Sequence, residues 1–104
     1  MRPVEILPRD LEIVLAVLRR FVPETEVRAA GSRASGKARR YSDLDLIIMT
    51  RRPLEVTVLA GLNRAFSDSD LPFSVDILDW ASLDENLRRS VYEDSIVIQR
   101  KKEG

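Results

Sequence analysis

The stretch Ser42-Asp43-Leu44-Asp45-Leu46-Ile47-Ile48-Met49-Thr50 places two aspartates at the head of an otherwise apolar run rich in branched residues. A run of that composition reads as a β-strand, and one this apolar belongs inside a sheet. Side chains alternate across a strand, so Asp43 and Asp45 point to one face with about 7 Å between their Cα atoms. Burying the two carboxylates unpaired would cost several kcal/mol or keep one of them protonated, whereas a shared divalent cation makes the arrangement favourable. The ordinary alternative has Asp43 capping a loop and Asp45 facing solvent. The apolar continuation to Met49 weakens that alternative.

The elements around this strand follow from spacing and punctuation. Leu11, Val14, Leu15 and Leu18 recur with helical period after Pro8, which suits a first turn, and Pro23 closes the segment. Val27 to Ala30 is a short apolar strand ending at Gly31. Val58, Leu59, Leu62 and Phe66 form a second helical face from about Leu54 onward, and Pro72 marks the turn into a third strand, Phe73 to Leu78. Ser82 followed by Glu85 matches a capping box, opening a helix with Leu83, Leu87 and Val91 on one side. Ile96-Val97-Ile98 reads as a short edge strand. The order helix, strand, strand, helix, strand, helix, strand predicts an α+β domain with helices packed on a mixed sheet, although strand directions do not follow from it.

Composition narrows the chemistry. At 104 residues and 11.9 kDa the chain is expected to be one domain over residues 1–104, with no room for a second domain that would bind a substrate. It has no cysteine and no histidine, which removes thiolate sites, disulfides and the usual imidazole base. Carboxylate chemistry remains, and carboxylate oxygens favour magnesium or manganese over zinc. Basic and acidic residues balance at 17 each, so anion binding must be local. The Arg100-Lys101-Lys102 end reads as solvated terminus rather than a nucleic-acid tail, and only Tyr41 among six aromatics lies in the basic loop, so nucleic acid is not an expected partner. Glu12, Arg19 and Arg20 interrupt the apolar residues from Leu11 to Val22, so neither a membrane span nor a signal peptide is expected, and the expected location is the cytoplasm. Phe21, Val22, Trp80 and Tyr92 near element ends would leave apolar surface for a homo-oligomer.

Two further features join the aspartate pair. Asp76 lies in the apolar run Phe73-Ser74-Val75-Asp76-Ile77-Leu78, and if that strand pairs beside Leu44 to Thr50 it stands next to Asp43 and Asp45. Otherwise it is an edge-strand aspartate that deters aggregation, a role that suits Asp79 better. Gly31-Ser32 follows directly on a strand, where the glycine lets backbone approach a ligand and the following amides and the Ser32 hydroxyl can donate to phosphate oxygens. Arg33, beside this turn, is a candidate for added positive charge, ahead of Lys37, Arg39 and Arg40. No Gly-Lys-Ser/Thr follows, so this is not the ATPase phosphate loop.

Gly31-Ser32-Arg33-Ala34-Ser35-Gly36-Lys37-Ala38, then Ser42-Asp43-Leu44-Asp45-Leu46, then Val75-Asp76 on a later strand, closely resembles the nucleotidyltransferases of the DNA polymerase beta superfamily. Within it the chain is similar to the minimal nucleotidyltransferases paired with HEPN-domain proteins. The resemblance implies the polymerase beta-like palm fold and catalysis by Asp43, Asp45 and Asp76, which would also ligate two magnesium ions. It further implies that Gly31 and Ser32, with Arg33 beside them, hold the phosphates of a nucleoside triphosphate, ATP above others. The implied activity is transfer of a nucleoside monophosphate to a hydroxyl, with a tyrosine of a HEPN toxin as acceptor and this chain as its antitoxin. The alternative is a non-catalytic module that neutralises its partner by contact.

Overall fold

The computed structural model describes residues 3–102. Helix α1 (Pro8–Phe21) opens with proline in its first turn, where no amide is needed, and ends with Arg19 and Arg20 against the negative end of its dipole. Val14 and Leu18 are fully buried on its inner face, while Leu11 and Leu15 are half-buried. Strand β1 (Val27–Ala30) leads through Gly31 into the one-turn helix α2 (Ser32–Ser35). Strand β2 (Leu44–Ile48), helix α3 (Val56–Ser67) and strand β3 (Val75–Asp79) follow, then a 3-10 turn (Trp80–Ser82), helix α4 (Glu85–Tyr92) and strand β4 (Ile96–Gln99).

The sheet has the order β3-β2-β1-β4, with β2 and β3 parallel and the other pairs antiparallel, so it is mixed as expected. Strand β2 is central, which its apolar sequence required, and β4 is an edge strand. The β2-α3-β3 and β3-α4-β4 connections cross the sheet in opposite directions, and right-handed crossovers therefore put α3 and α4 on opposite faces. On the α3 face, Val14, Leu18, Val27, Ala29, Leu44, Leu46, Ile48, Leu62 and Phe66 form the core. Gly61 allows α3 to close on α1, since a Cβ there would stand 2.5 Å from the Phe21 ring. On the α4 face, Arg28 donates to the Ser95 hydroxyl at 2.7 Å and lies 4.3 Å from the centre of the Tyr92 ring.

Several sequence expectations need correction. Helix α4 starts three residues after Ser82, because residues Trp80–Ser82 are consumed by the 3-10 turn and the Ser82 hydroxyl donates to Asp79 Oδ2 at 3.1 Å. Asp84 is the N-cap instead, its Oδ1 accepting the Leu87 amide at 2.9 Å. Asp79 is not an edge guard but a joint. It accepts from the Thr50 hydroxyl and from the Leu54 amide at 2.8 Å, which ends β2 early and delays the start of α3 to Val56. Strand β3 is likewise shifted, to Val75–Asp79. Val22 is buried and Phe21 packs against the core, so neither contributes the exposed apolar surface expected of it, whereas Tyr92 is 43% exposed.

Among the described residues no helix is long and apolar enough to cross a membrane.

Candidate active site

Strand pairing decides which carboxylates meet. In the parallel ladder Asp45 is the register partner of Asp76, and in the antiparallel ladder it faces Ala30, the residue before Gly31. Directly paired residues point to the same face of a sheet, so Asp45 and Asp76 stand side by side on the face away from the α1–α3 core. Asp43, two residues before Asp45, lies at the entrance to β2. Asp43 and Asp76 are exposed, and Asp45 is half-buried between them. Burial pushes the Asp45 carboxyl above its ordinary value of 3.8, and the neighbouring Asp76 and Asp43 charges, with a hydrogen bond shared with Asp76, push the same way.

Gly31 is fitted to this group in two respects. Its φ of 73° lies where L-residues are rare, and a Cβ there would sit 2.5 Å from Asp45 Oδ2. The bare backbone thus lets the turn pass against the carboxylate. The Gly31 carbonyl accepts from the Ala34 and Ser35 amides at 3.1 and 3.0 Å, folding Ser32 onward into α2 directly beside the aspartates. Ser32 is half-buried at this turn.

Arg33 has a different place from the one its sequence position suggested. It is 6% exposed, and its guanidinium donates to the carbonyls of Ser42 at 2.9 Å, Glu5 at 2.8 Å and Arg40 at 3.2 Å. It also lies 4.0 Å from the centre of the Phe73 ring. Its donors are spent on backbone, so the expected phosphate contact by this side chain is withdrawn: Arg33 is a clamp. It ties the residue before Asp43, the segment ahead of α1 and the entrance to β3 to the Gly31-Ser32 turn. Lys37, Arg39 and Arg40 stay exposed on the loop, which closes on itself through the Arg39 amide to Ser42 Oγ bond at 2.8 Å.

Among the described residues no three acidic groups are gathered closely enough to hold a metal ion unaided. The donor chemistry of Asp43, Asp45 and Asp76 is that of a hard-cation site, carboxylate oxygen alone, and a cation would offset the burial and the neighbouring charges that raise Asp45.

Two cavities border the loop that carries Asp43. One of about 510 Å³ is lined by Asp43, Tyr41, Asn63, Ser67 and Ser74 over an apolar floor that includes Phe66. The other, about 620 Å³, lies under the segment before α1, among Arg33, Arg39, Arg40 and Tyr41. Sequence spacing gave no hint of the first, because it joins α3 to two loops distant in the chain. Sequence reading also passed over Asp10, which is buried at the first turn of α1 and borders the second cavity.

A family model described as polymerase beta nucleotidyltransferase matches residues 20–104, a span that holds the turn and all three aspartates. A Haemophilus influenzae protein named probable protein adenylyltransferase MntA is 45% identical over 97 residues, which is 93% of this chain and 85% of that protein. Among solved structures, a toxin–antitoxin complex with AMP-PNP superposes with a TM-score of 0.72 at 22% identity, over 88% of this chain and 74% of that one. A tri-AMPylated Shewanella oneidensis HEPN toxin in complex with MNT antitoxin gives 0.68 at 17% identity, over 93% and 74%. At those identities the structural likeness speaks for the fold.

Proposed function

Because this chain belongs to the polymerase beta nucleotidyltransferase family, we propose that it transfers AMP from ATP to a tyrosine hydroxyl of a HEPN-domain toxin, acting in the cytoplasm as that toxin's antitoxin. The observation that carries the reading is the pairing of Asp45 with Asp76 across β2 and β3, with the bare Gly31 backbone against Asp45. The naming of the Haemophilus influenzae relative as a probable protein adenylyltransferase supports AMP as the group moved. The AMPylated HEPN toxin bound to its MNT antitoxin supports the acceptor class.

In this reading the turn at Gly31 and Ser32 receives the β- and γ-phosphates through backbone amides and the Ser32 hydroxyl. Asp43, Asp45 and Asp76 would hold magnesium, or manganese in its place, and the bound ions would supply charge neutralisation for the triphosphate. Asp76, exposed on the strand nearer the sheet edge, faces the incoming hydroxyl and accepts its proton. The hydroxyl oxygen bonds to the α-phosphorus as the bond from that phosphorus to the bridging oxygen breaks, and the electron pair leaves with pyrophosphate. Arg33 keeps Asp43 at its post by holding the Ser42 carbonyl. The test is transfer of labelled nucleotide from ATP to the co-purified HEPN partner. Asp43→Asn and Asp45→Asn should each abolish labelling, and labelling retained in both overturns the assignment.

A further inference from the structure

The end of the sheet away from the aspartates collects cations from three separate parts of the chain. Strand β2 runs from Asp45 to Ile48, and Val27, the partner of Ile48, also pairs with Gln99, so the residues after β2 and after β4 emerge at one end. Hydrogen bonds tie both to the segment that follows α1. The Met49 amide donates to the Glu26 carbonyl at 2.9 Å, the Lys102 amide to the Glu24 carbonyl at 3.2 Å, and Gln99 Nε2 to the Val22 and Thr25 carbonyls at 2.8 and 2.7 Å. Arg51, Arg52 and Lys101 thereby line one cavity of about 390 Å³. Arg52 also lines a neighbouring cavity with Phe21, whose ring centre lies 5.1 Å from the Arg20 guanidinium carbon.

These cations are unspent. Among the described residues Arg20, Arg51, Arg52, Lys101 and Lys102 take part in no ion pair, and all of them are exposed. Of the acids in the first cavity, Glu26 is committed to Arg28 at 3.2 Å, which leaves Glu24. In a chain whose formal charges cancel, this makes one positive pole, and cations lining one cavity lie close enough to act together against screening. The pole suits a row of phosphates better than other anionic surfaces. Single-stranded nucleic acid is held by aromatic platforms for its bases, whereas Phe21 is the one aromatic lining these two cavities and it packs against the core. A membrane surface takes an apolar wedge, and Val56 is the one exposed large apolar side chain that adjoins Arg52 in the chain. A duplex offers closely spaced phosphates with its base faces stacked away.

We propose that this pole binds the phosphodiester backbone of a nucleic-acid duplex, without reading its sequence, through Arg51, Arg52 and Lys101 flanked by Arg20 and Lys102. The surface stands at the opposite end of β2 from the aspartates, so its test is independent of the nucleotidyl-transfer reading. Fluorescence anisotropy on the full chain, with a labelled DNA duplex and a labelled RNA duplex of mixed sequence, provides that test. Wild type is expected to bind with a Kd of about 10⁻⁶–10⁻⁴ M that weakens as salt rises. Arg51→Ala combined with Arg52→Ala, in an exposed loop, should weaken binding about tenfold and reduce the slope of log Kd against log salt by about 2, with the melting temperature unchanged. Lys101→Ala should do the same by a smaller factor. Arg39→Ala combined with Arg40→Ala removes the same charge at the aspartate end and should leave affinity and slope as they are. Binding of one duplex type over the other identifies the source of the phosphates and upholds the surface. No salt-dependent binding of either duplex by wild type, equal losses in the two double variants, or a preference for phosphatidylserine vesicles over both duplexes would overturn it.

Discussion

The β1-α2-β2 unit and the β3-α4-β4 unit both face the aspartate group, yet they are built differently. In the first, Val27, Ala29, Ala30, Ala34, Leu44, Leu46, Ile47 and Ile48 are buried, and buried Arg33 bonds the connecting loop from inside. In the second, no residue of β3, α4 or β4 is fully buried, Leu87 is 49% exposed, and α4 is held by its Asp84 cap and by ring contacts of Trp80, Tyr92, Arg28 and Arg88. The site straddles the two: Gly31, Asp43 and Asp45 stand on the packed unit, Asp76 on the open one. Under the proposed function, a triphosphate needs a fixed cradle, whereas an acceptor that arrives on another protein needs an accessible flank.

That contrast can be broken or sharpened by substitution. The largest effects should fall where packed unit and chemistry meet. Asp45→Asn is expected to reduce transfer by about 10²–10³-fold or more, while raising the melting temperature of the metal-free protein, because the replaced carboxylate is crowded by burial, Asp76 and Asp43. A fall in both would show that Asp45 serves the fold and not the site. Gly31→Ala should cost about 1–3 kcal/mol in chemical denaturation and lose ATP binding, since the new Cβ meets Asp45 Oδ2 at a φ of 73°.

Arg33→Met comes next. It strips charged donors from three carbonyls, and about 3 kcal/mol of stability should go with them. At a temperature where the variant is folded, kcat should fall while KM for ATP stays near the wild-type value; a rise in KM alone would return Arg33 to the phosphates. Leu46→Ala should cost about 2–5 kcal/mol, against about 0.5 kcal/mol or less for Leu87→Ala on α4, and equal losses would erase the distinction between the units.

The smallest effect is a pH dependence with a definite sign. A carboxyl raised above its unfolded value binds its proton more tightly in the fold, so its contribution to stability is complete below the unfolded value of 3.8 and is lost as pH rises through the folded one. Melting curves of wild type minus Asp45→Asn, in chelator, should therefore decline from acid toward neutral pH. Magnesium should restore the wild type at neutral pH and leave the variant unmoved.

Most of the architecture could be read from period and punctuation, because β2 is apolar enough to demand the sheet interior and α1 and α3 show their inner faces plainly. The proximity of Asp76 to Asp45 was readable only as a condition, since strand direction and neighbours are set by contacts that no local pattern records. Arg33 misled for the same reason: after Gly-Ser a guanidinium looks the same whether it meets a ligand or a carbonyl, and its partner Glu5 lies 28 residues away. Ser82 lost the cap to Asp84 because the bonds at Asp79 turn the chain there first, and that joint depends on Thr50 and Leu54 in the loop that follows β2.

The central claim is that the aspartate group transfers the nucleotidyl rather than the terminal phosphoryl part of ATP. Incubating the protein, magnesium and the HEPN partner with ATP labelled at the α-phosphate, and in parallel at the γ-phosphate, separates the two. The account predicts label on a partner tyrosine from the α position only, lost with Asp45→Asn. Label from the γ position, or α label that survives that substitution, would contradict it.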